Sequence, residues 1–364
     1  MKNITEAKKW MHKIKELDLP DTPIRIMNVC GGHERSITHA GLRGVLPEQV
    51  ELVPGPGCPV CVCPEEDVYA AIQVSLNHDV TLVAFGDMLR VPVNVPRSQA
   101  RSLEEAKAKG ADIRPIASPM EAVAIADANP NRTVVFFAAG FETTMAPVAA
   151  MLAFEERPNL KVLISGRLTW PAVALLLDSD SPGFDCLVAP GHVATVMGGD
   201  EWRFVAEKHK LPAAVAGFEP DSLLAAFYST LRQFTEGSAF LDNCYQELVT
   251  DEGNQPAQSI MQRVFKVTDA NWRGIGIIPQ SGFELAEAYQ HLDARNDYPA
   301  YHEEARQKAG ENPPGCDCAQ VVLAKIRPNE CRLYGKACTP RTPYGPCMVS
   351  DEGACRIWWA GGLR

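Results

Sequence analysis

Cysteine is the residue type in this sequence best able to do chemistry, and its twelve copies are unevenly placed. Four fall between positions 30 and 63 and six between 316 and 355, so only Cys186 and Cys244 stand alone. In a reducing compartment, thiols grouped this way serve metal or redox chemistry more often than a disulfide framework. The two isolated ones read as small buried hydrophobes.

The first group has two parts, each following an apolar run. Cys30-Gly31-Gly32-His33-Glu34 opens a helical pattern, and its glycines let the backbone turn tightly and a partner approach. A thiol just before a helix faces the positive end of the dipole, which predicts a lowered pKa. His33 is then a candidate ligand or base and Glu34 a group to orient it; the competing reading is a buried cysteine with a capping histidine. Cys58 and Cys61 form a C-x-x-C pair after Pro54-Gly55-Pro56-Gly57, and Pro64 suits the first turn of a following helix. That arrangement favours reversible disulfide chemistry over a solvent-side turn with incidental cysteines.

Other candidates sit where further strands should end. They are Gly86-Asp87, then Gly140-Phe141-Glu142-Thr143-Thr144, then Gly191-His192. Glu142 could relay protons or orient a reactive group, whereas Thr143 and Thr144 suit helix capping. His192 is a candidate relay, with a structural histidine as its alternative. The tripeptide Gly-Phe-Glu recurs at 140, 217 and 282, each time beyond a candidate strand. The Gly-Gly pairs match no dinucleotide or P-loop fingerprint.

The second cysteine group comprises Cys316, Cys318, Cys331, Cys338, Cys347 and Cys355. Four thiols would ligate a [4Fe–4S] cluster and two would remain. Zinc is the alternative, although paired C-x-x-C knuckles are absent. A disulfide beside a one-electron carrier could be reduced in two steps.

The elements that must position these groups alternate. Candidate strands cover 24–29, 50–53, 80–85, 133–138, 161–164, 186–189, 213–216 and 274–278, with helical patterns at 65–77, 102–109, 119–128 and 171–177. Strand, crossover helix and strand in succession predict mainly parallel sheets covered on both faces. Two such units fit residues 1–118 and 119–297, with a break near 114–119, and a Cys-, Pro- and Gly-rich segment fills 298–364. Ligands in such folds bind beyond the carboxyl ends of strands. A net charge of −10 offers no general attraction to nucleic acid or anionic lipid. No apolar run is long enough to span a membrane, and the amphipathic start lacks the features of a signal peptide, so a cytoplasmic protein is expected.

Taken together, Cys30 to Glu34, Gly55-Pro-Gly-Cys-Pro-Val-Cys61, Gly140 to Thr144, Cys338-Thr-Pro and Gly345-Pro-Cys-Met-Val-Ser-x-Glu-Gly-Ala-Cys355 closely resemble the HypD family of hydrogenase maturation factors. The resemblance spans nearly the whole chain in order. It implies two Rossmann-like, mainly parallel-sheet α/β domains facing a cleft, plus a small iron–sulfur domain. It also implies a monomer working in a complex with a HypC-type chaperone and, transiently, a HypE-type cyanide donor. On this likeness Cys30 holds an iron jointly with the chaperone while cyanide and carbon monoxide ligands are installed. Cys58 and Cys61 would supply electrons and His33 would assist in proton transfer. A further likeness, to ferredoxin–thioredoxin reductase, makes Cys316, Cys331, Cys338 and Cys355 the cluster ligands, with Cys318 and Cys347 the adjacent redox pair. Exchanging Cys316 with Cys318, or Cys347 with Cys355, fits the same pattern. The family usually carries threonine where this chain has Cys63. Two rival readings are a stand-alone iron–sulfur thiol oxidoreductase and a zinc-stabilised adaptor, the latter distinguished by a colourless protein.

Overall fold

In the computed structural model, which describes residues 2–299, 301 and 312–363, the chain visits two sheets in turn. It lays down β1 (Ile24–Asn28) and β2 (Val50–Pro54) in the first sheet. It then crosses to the second for β3 (Val80–Phe85), β4 (Asp112–Ile116), β5 (Thr133–Gly140) and β6 (Leu160–Arg167). It returns to the first for β7 (Cys186–Pro190), β8 (Ala213–Ala216) and β9 (Leu241–Asn243), and closes the second with β10 (Phe265–Trp272) and β11 (Gly276–Leu285). The fold is mixed α/β, with two largely parallel sheets. The break expected near 114–119 falls inside the second sheet, between β4 and β5. Each sheet therefore draws on strands far apart in sequence.

The first sheet runs β2-β1-β7-β8-β9, parallel throughout. The second runs β10-β11-β6-β5-β3-β4, parallel from β6 to β4 and antiparallel at β11 and β10. Strands β7 and β8 are buried along their whole length, as uninterrupted apolar runs must be between two covering layers. One face of the first sheet carries Ile24, Ile26, Ile37 and Phe227; the other carries Met27, Leu187, Val215 and Trp202. The amphipathic start forms the helix Lys2–Lys15, which lies on the helix Pro220–Thr235 with Trp10 and Tyr228 5.4 Å apart. No helix among the described residues is long and apolar enough to cross a membrane.

Three strands escape the sequence pattern, namely β4, β9 and β10. β11 also runs further than 274–278, so the third Gly-Phe-Glu copy lies within a strand and not at a strand exit. The C-terminal segment contains no strand among its described residues. Instead of standing apart, its Cys318, Val321, Met348, Cys355 and Trp358 join one continuous core with Cys58–Cys63, Tyr69, Val135 and Phe137.

This topology places chemistry at two points. Crossovers leave in opposite directions between β1 and β7, and again between β3 and β5, and such switch points open crevices at the carboxyl ends of strands. Cys30 and Gly191-His192 stand at the first, while Gly86-Asp87 and Phe141-Glu142 stand at the second.

Candidate functional site

Cys30 is the residue preceding the helix Gly31–His39, in extended backbone at φ −153° and ψ 125°. The turn after β2 packs directly upon it, backbone to backbone. Gly31 N–H donates to the Gly57 carbonyl at 3.1 Å, and a Cβ on Gly57 would come 2.5 Å from the Cys30 nitrogen. Only glycine allows that approach. Cys58 caps the short helix Pro59–Val62 and is bonded to Cys61 as a disulfide. Cys30, Cys58, Cys61 and Cys347 line one cavity together with Glu34 and Glu352. Its volume is about 10 Å³, no more than a single water needs.

Burial reverses the expectation of an acidified Cys30 thiol. Desolvation pushes its pKa up to about 12, against the opposing N–H groups of His33 and Gly32. The helix start does help the thiolate, but loss of water outweighs it. His33 is wholly buried. Its Nε2–H donates to the Ala216 carbonyl at 3.0 Å, so Nδ1 carries the lone pair, and that atom is buried without a partner. Burial pushes this histidine down to about 3, so it is neutral.

Glu34 works elsewhere than at His33. Its carboxylate accepts from Arg43 at 2.6 and 2.8 Å, from Asn28 at 3.0 Å and from the Trp358 indole at 2.6 Å. Three separate elements are thereby tied behind Cys30, among them the C-terminal helix Ala354–Ala360. In front, the Glu352 backbone and Cβ press on Gly31, where a Cβ would collide with them. Glu352 stands exposed in a concave setting, where burial on its other sides and nearby Asp87 push its carboxyl up to about 7, against the pull of Arg35. Burial raises Asp87 as well, Asp351 adds to the rise, and a hydrogen bond from Ser350 opposes it. The turn at residues 350–353 thus bridges the two switch points.

On its other side the Cys30 loop meets Phe218. The ring lies against Gly32, where an added Cβ would stand 2.9 Å from Phe218 Cε1 and 3.4 Å from Cys30 Sγ. It is 4.9 Å from His33 and stacks on His192 at 3.7 Å.

Glu142 lies apart from this cavity. It is fully buried, and its oxygens accept from the Thr169 N–H at 2.6 Å and the Thr169 hydroxyl at 2.8 Å. Desolvation pushes it up to about 7. Glu201 faces it from beyond the helix Gly191–Met197, and burial and the Glu142 charge raise that carboxyl too. One Glu201 oxygen is buried without a partner. Thr143 and Thr144 do not cap. The residue before the helix Glu142–Phe154 is Phe141, so both threonines lie within its first turn.

Cys63 turns to the second sheet. Its Sγ is 3.4 Å from the Ser165 hydroxyl, which donates to Asp67 at 2.6 Å, and Arg295 holds Asp67 at 3.2 Å. Cys186 is buried within β7, whereas Cys244 is only half-buried.

The six C-terminal cysteines converge. Cys316 and Cys318 sulfurs are 3.3 Å apart, and a Cβ on Gly345 would come 2.5 Å from both. Cys347 Sγ accepts from the Cys355 N–H at 3.3 Å, and Cys338 Sγ accepts from the Tyr344 N–H at 3.4 Å. All but Cys316 are buried. Among the described residues no three acidic, histidine or cysteine side chains converge on a single ion's position.

A family model described as "HypD: Hydrogenase formation hypA family" matches residues 5–362. The chain belongs to the HypD family. It is 39% identical over 343 residues to the hydrogenase maturation factor HypD of Escherichia coli, covering 93% of this chain and 89% of that protein. It is 38% identical to HypD2 of Bradyrhizobium diazoefficiens, covering 94% and 90% respectively, and 38% identical to HypD of Rhizobium leguminosarum, covering 98% and 93%. In this family member, sequence reasoning singled out Cys30, Cys58 and Cys61, carried Phe218 and Glu352 only as members of motifs without a role, and passed over Trp358, Arg43 and Glu201. Trp358 and Glu201 act from distant elements, which no local spacing announces, whereas Arg43 lies nine residues from Glu34.

Proposed function

We propose that this chain is a cytoplasmic hydrogenase maturation factor that serves as an iron-handling scaffold. Cys30 holds the iron to be delivered, jointly with a HypC-type chaperone, while cyanide from a HypE-type donor and carbon monoxide become its ligands. Soft thiolates suit low-spin iron carrying such ligands. The observation that carries the reading is the shared cavity, which gathers Cys30, the Cys58–Cys61 disulfide and Cys347 at one point.

Electrons reach that point through sulfur. Reduction of Cys58–Cys61 takes two electrons and two protons and yields two thiols beside Cys30. Two sulfurs, those of Cys316 and Cys318, crowd against Gly345, and the other four C-terminal cysteines are buried nearby, a sulfur-rich setting that suits a cubane better than a lone ion. Cys316, Cys331, Cys338 and Cys355 would hold a [4Fe–4S] cluster, with Cys318 and Cys347 as the neighbouring redox pair. Such a cluster supplies electrons one at a time. Cys347 belongs to both groups, lining the Cys30 cavity and receiving the Cys355 N–H. His33 is neutral with a free lone pair at Nδ1, and while the site is closed its lowered pKa makes it a poor acceptor for the proton of the Cys30 thiol.

The cavity is too small for iron and its ligands, so loading requires the Phe218 or Glu352 side to move. Cys30→Ala should abolish hydrogenase maturation and the cyanide and carbonyl infrared bands of the chaperone complex, while leaving the visible absorption of the anaerobic protein unchanged. A variant that still matures hydrogenase would remove Cys30 from the role.

A further inference from the structure

A groove of about 970 Å³ lies at the carboxyl ends of β7, β8 and β9, with Phe218 between it and the Cys30 loop. It runs between the helices Lys2–Lys15 and Pro220–Thr235, with Tyr245 and Glu247 beyond β9 on its rim and Phe218 and His192 along its inner wall. Five carboxylates line it, those of Glu6, Glu219, Asp221, Asp242 and Glu247, against the cations of Lys13 and Arg232.

Those two cations already sit on aromatic faces. Lys13 Nζ is 4.3 Å from the Trp10 ring centre and 5.4 Å from that of Tyr228, and the Arg232 guanidinium is 5.9 Å from Tyr228. The rings therefore accept positive charge in this geometry. Of the carboxylates, Glu6 is paired with Lys9 and Asp242 accepts from Ser229. Asp221 accepts from the neighbouring Ser222 N–H. Glu219 and Glu247 are exposed, and their carboxylates have no hydrogen bond or ion pair among the described residues. The groove thus presents unspent negative charge and aromatic surface, a combination that steers and seats basic side chains.

Phe218 makes the groove continuous with the Cys30 site. One side of the ring stacks on His192 in the groove, and its edge reaches Gly32 beside the Cys30 sulfur. We infer that this groove is the docking surface for a lysine- or arginine-bearing segment of the protein that completes the Cys30 site. The inference rests on the scaffold reading above, which requires a partner at Cys30.

The test uses the full chain and a purified HypC-type chaperone under anaerobic conditions, with affinity measured by titration calorimetry at low and high salt. Glu219→Lys combined with Glu247→Lys should weaken binding at least tenfold at low salt and flatten its salt dependence. A control pair on the second sheet's side, Glu104→Lys with Glu121→Lys, should leave binding within about twofold, since distant surface charge is screened. Unchanged affinity in the groove variant, or an equal loss in the control, overturns the docking surface but leaves the scaffold reading intact, because the chaperone still binds. Absence of binding by the wild-type chain overturns both.

Discussion

Replacing Glu142 by glutamine probes the charge buried between the two sheets. Its folded-state pKa of about 7 lies above an ordinary 4.5, chiefly because its carboxyl is wholly desolvated. Below pH 4.5 the group is protonated whether the chain is folded or not. As pH rises from there to about 7, the unfolded chain loses this proton and the folded one keeps it, so stability falls. Above pH 7 both states are ionised and the loss is complete. A gap of roughly 2.5 pK units corresponds to about 3 kcal/mol, lost at close to 1.4 kcal/mol per pH unit. Glutamine removes the titration but keeps an acceptor for the Thr169 N–H, and the Thr169 hydroxyl can turn to accept from its amide. Glu142→Gln should therefore gain on the parent between pH 5 and 8 by up to about 3 kcal/mol. Glu201→Gln, which removes a second carboxyl raised by burial and by the Glu142 charge, should likewise reduce the fall in stability as pH rises. Guanidinium unfolding followed by tryptophan fluorescence at each pH reads the difference directly, and unrelated titrations cancel in it. A variant-minus-parent difference that stays flat across this range would refute the buried-carboxyl assignment.

Trp358→Phe removes the indole donor to Glu34 and should cost about 2 kcal/mol, the range for a buried hydrogen bond to a charged group; an unchanged guanidinium midpoint would deny the tie between the C-terminal helix and Cys30. Cys63→Thr should leave the Cys58–Cys61 disulfide intact, because the Cys63 thiol faces Ser165 and a threonine hydroxyl can keep that contact; non-reducing peptide mapping checks it, and loss of the bond would show that Cys63 takes part in pairing. Cys338→Ala should lower bound iron in anaerobically prepared protein and expose the C-terminal segment to protease, whereas full iron content would take Cys338 out of the ligand set.

Parts of the fold could be read locally. Apolar runs gave β1, β3, β5, β7 and β8 nearly to their ends, and the helix Glu65–Asn77 fell where its pattern placed it. β4 was hidden by its own sequence, DIRPI, an edge strand carrying Asp112 and Arg114 paired to each other just before a proline. β10 is an edge strand too, and its exposed Lys266, Val267 and Asp269 break any two-residue alternation of burial. Which sheet each strand joins could not be read, because pairing Ile26 with Cys186 is decided by packing between segments far apart in sequence. The same distance explains the failed expectation at Cys30. The helix start is local and was visible; the residues that exclude water from the thiol, Phe218 and Glu352, are not. Glu34 looked like a partner for its neighbour His33, but its bond to Trp358 spans the length of the chain.

That last bond bears on how the sulfur groups stay aligned. An electron route through thiols works only where neighbouring sulfurs keep a fixed approach, and a Cys-rich segment without strands has little rigidity of its own. Here the rigidity is borrowed. Trp358 anchors the segment to Glu34, Glu34 is fixed to β1 through Asn28, and Asn28 holds β2 by donating to the Val53 carbonyl at 3.1 Å. Strands β1 and β2 carry Cys30 and the Cys58–Cys61 turn at their carboxyl ends. One buried carboxylate thus sets the C-terminal cysteines against both thiol sites. Three charge-assisted donors converge on it, so movement of any one leaves the others to hold the frame. At the fronts of the site, Phe218 is held by ring contacts with His33 and His192 and not by such a carboxylate anchor. Iron loading as proposed would open the site there or at Glu352.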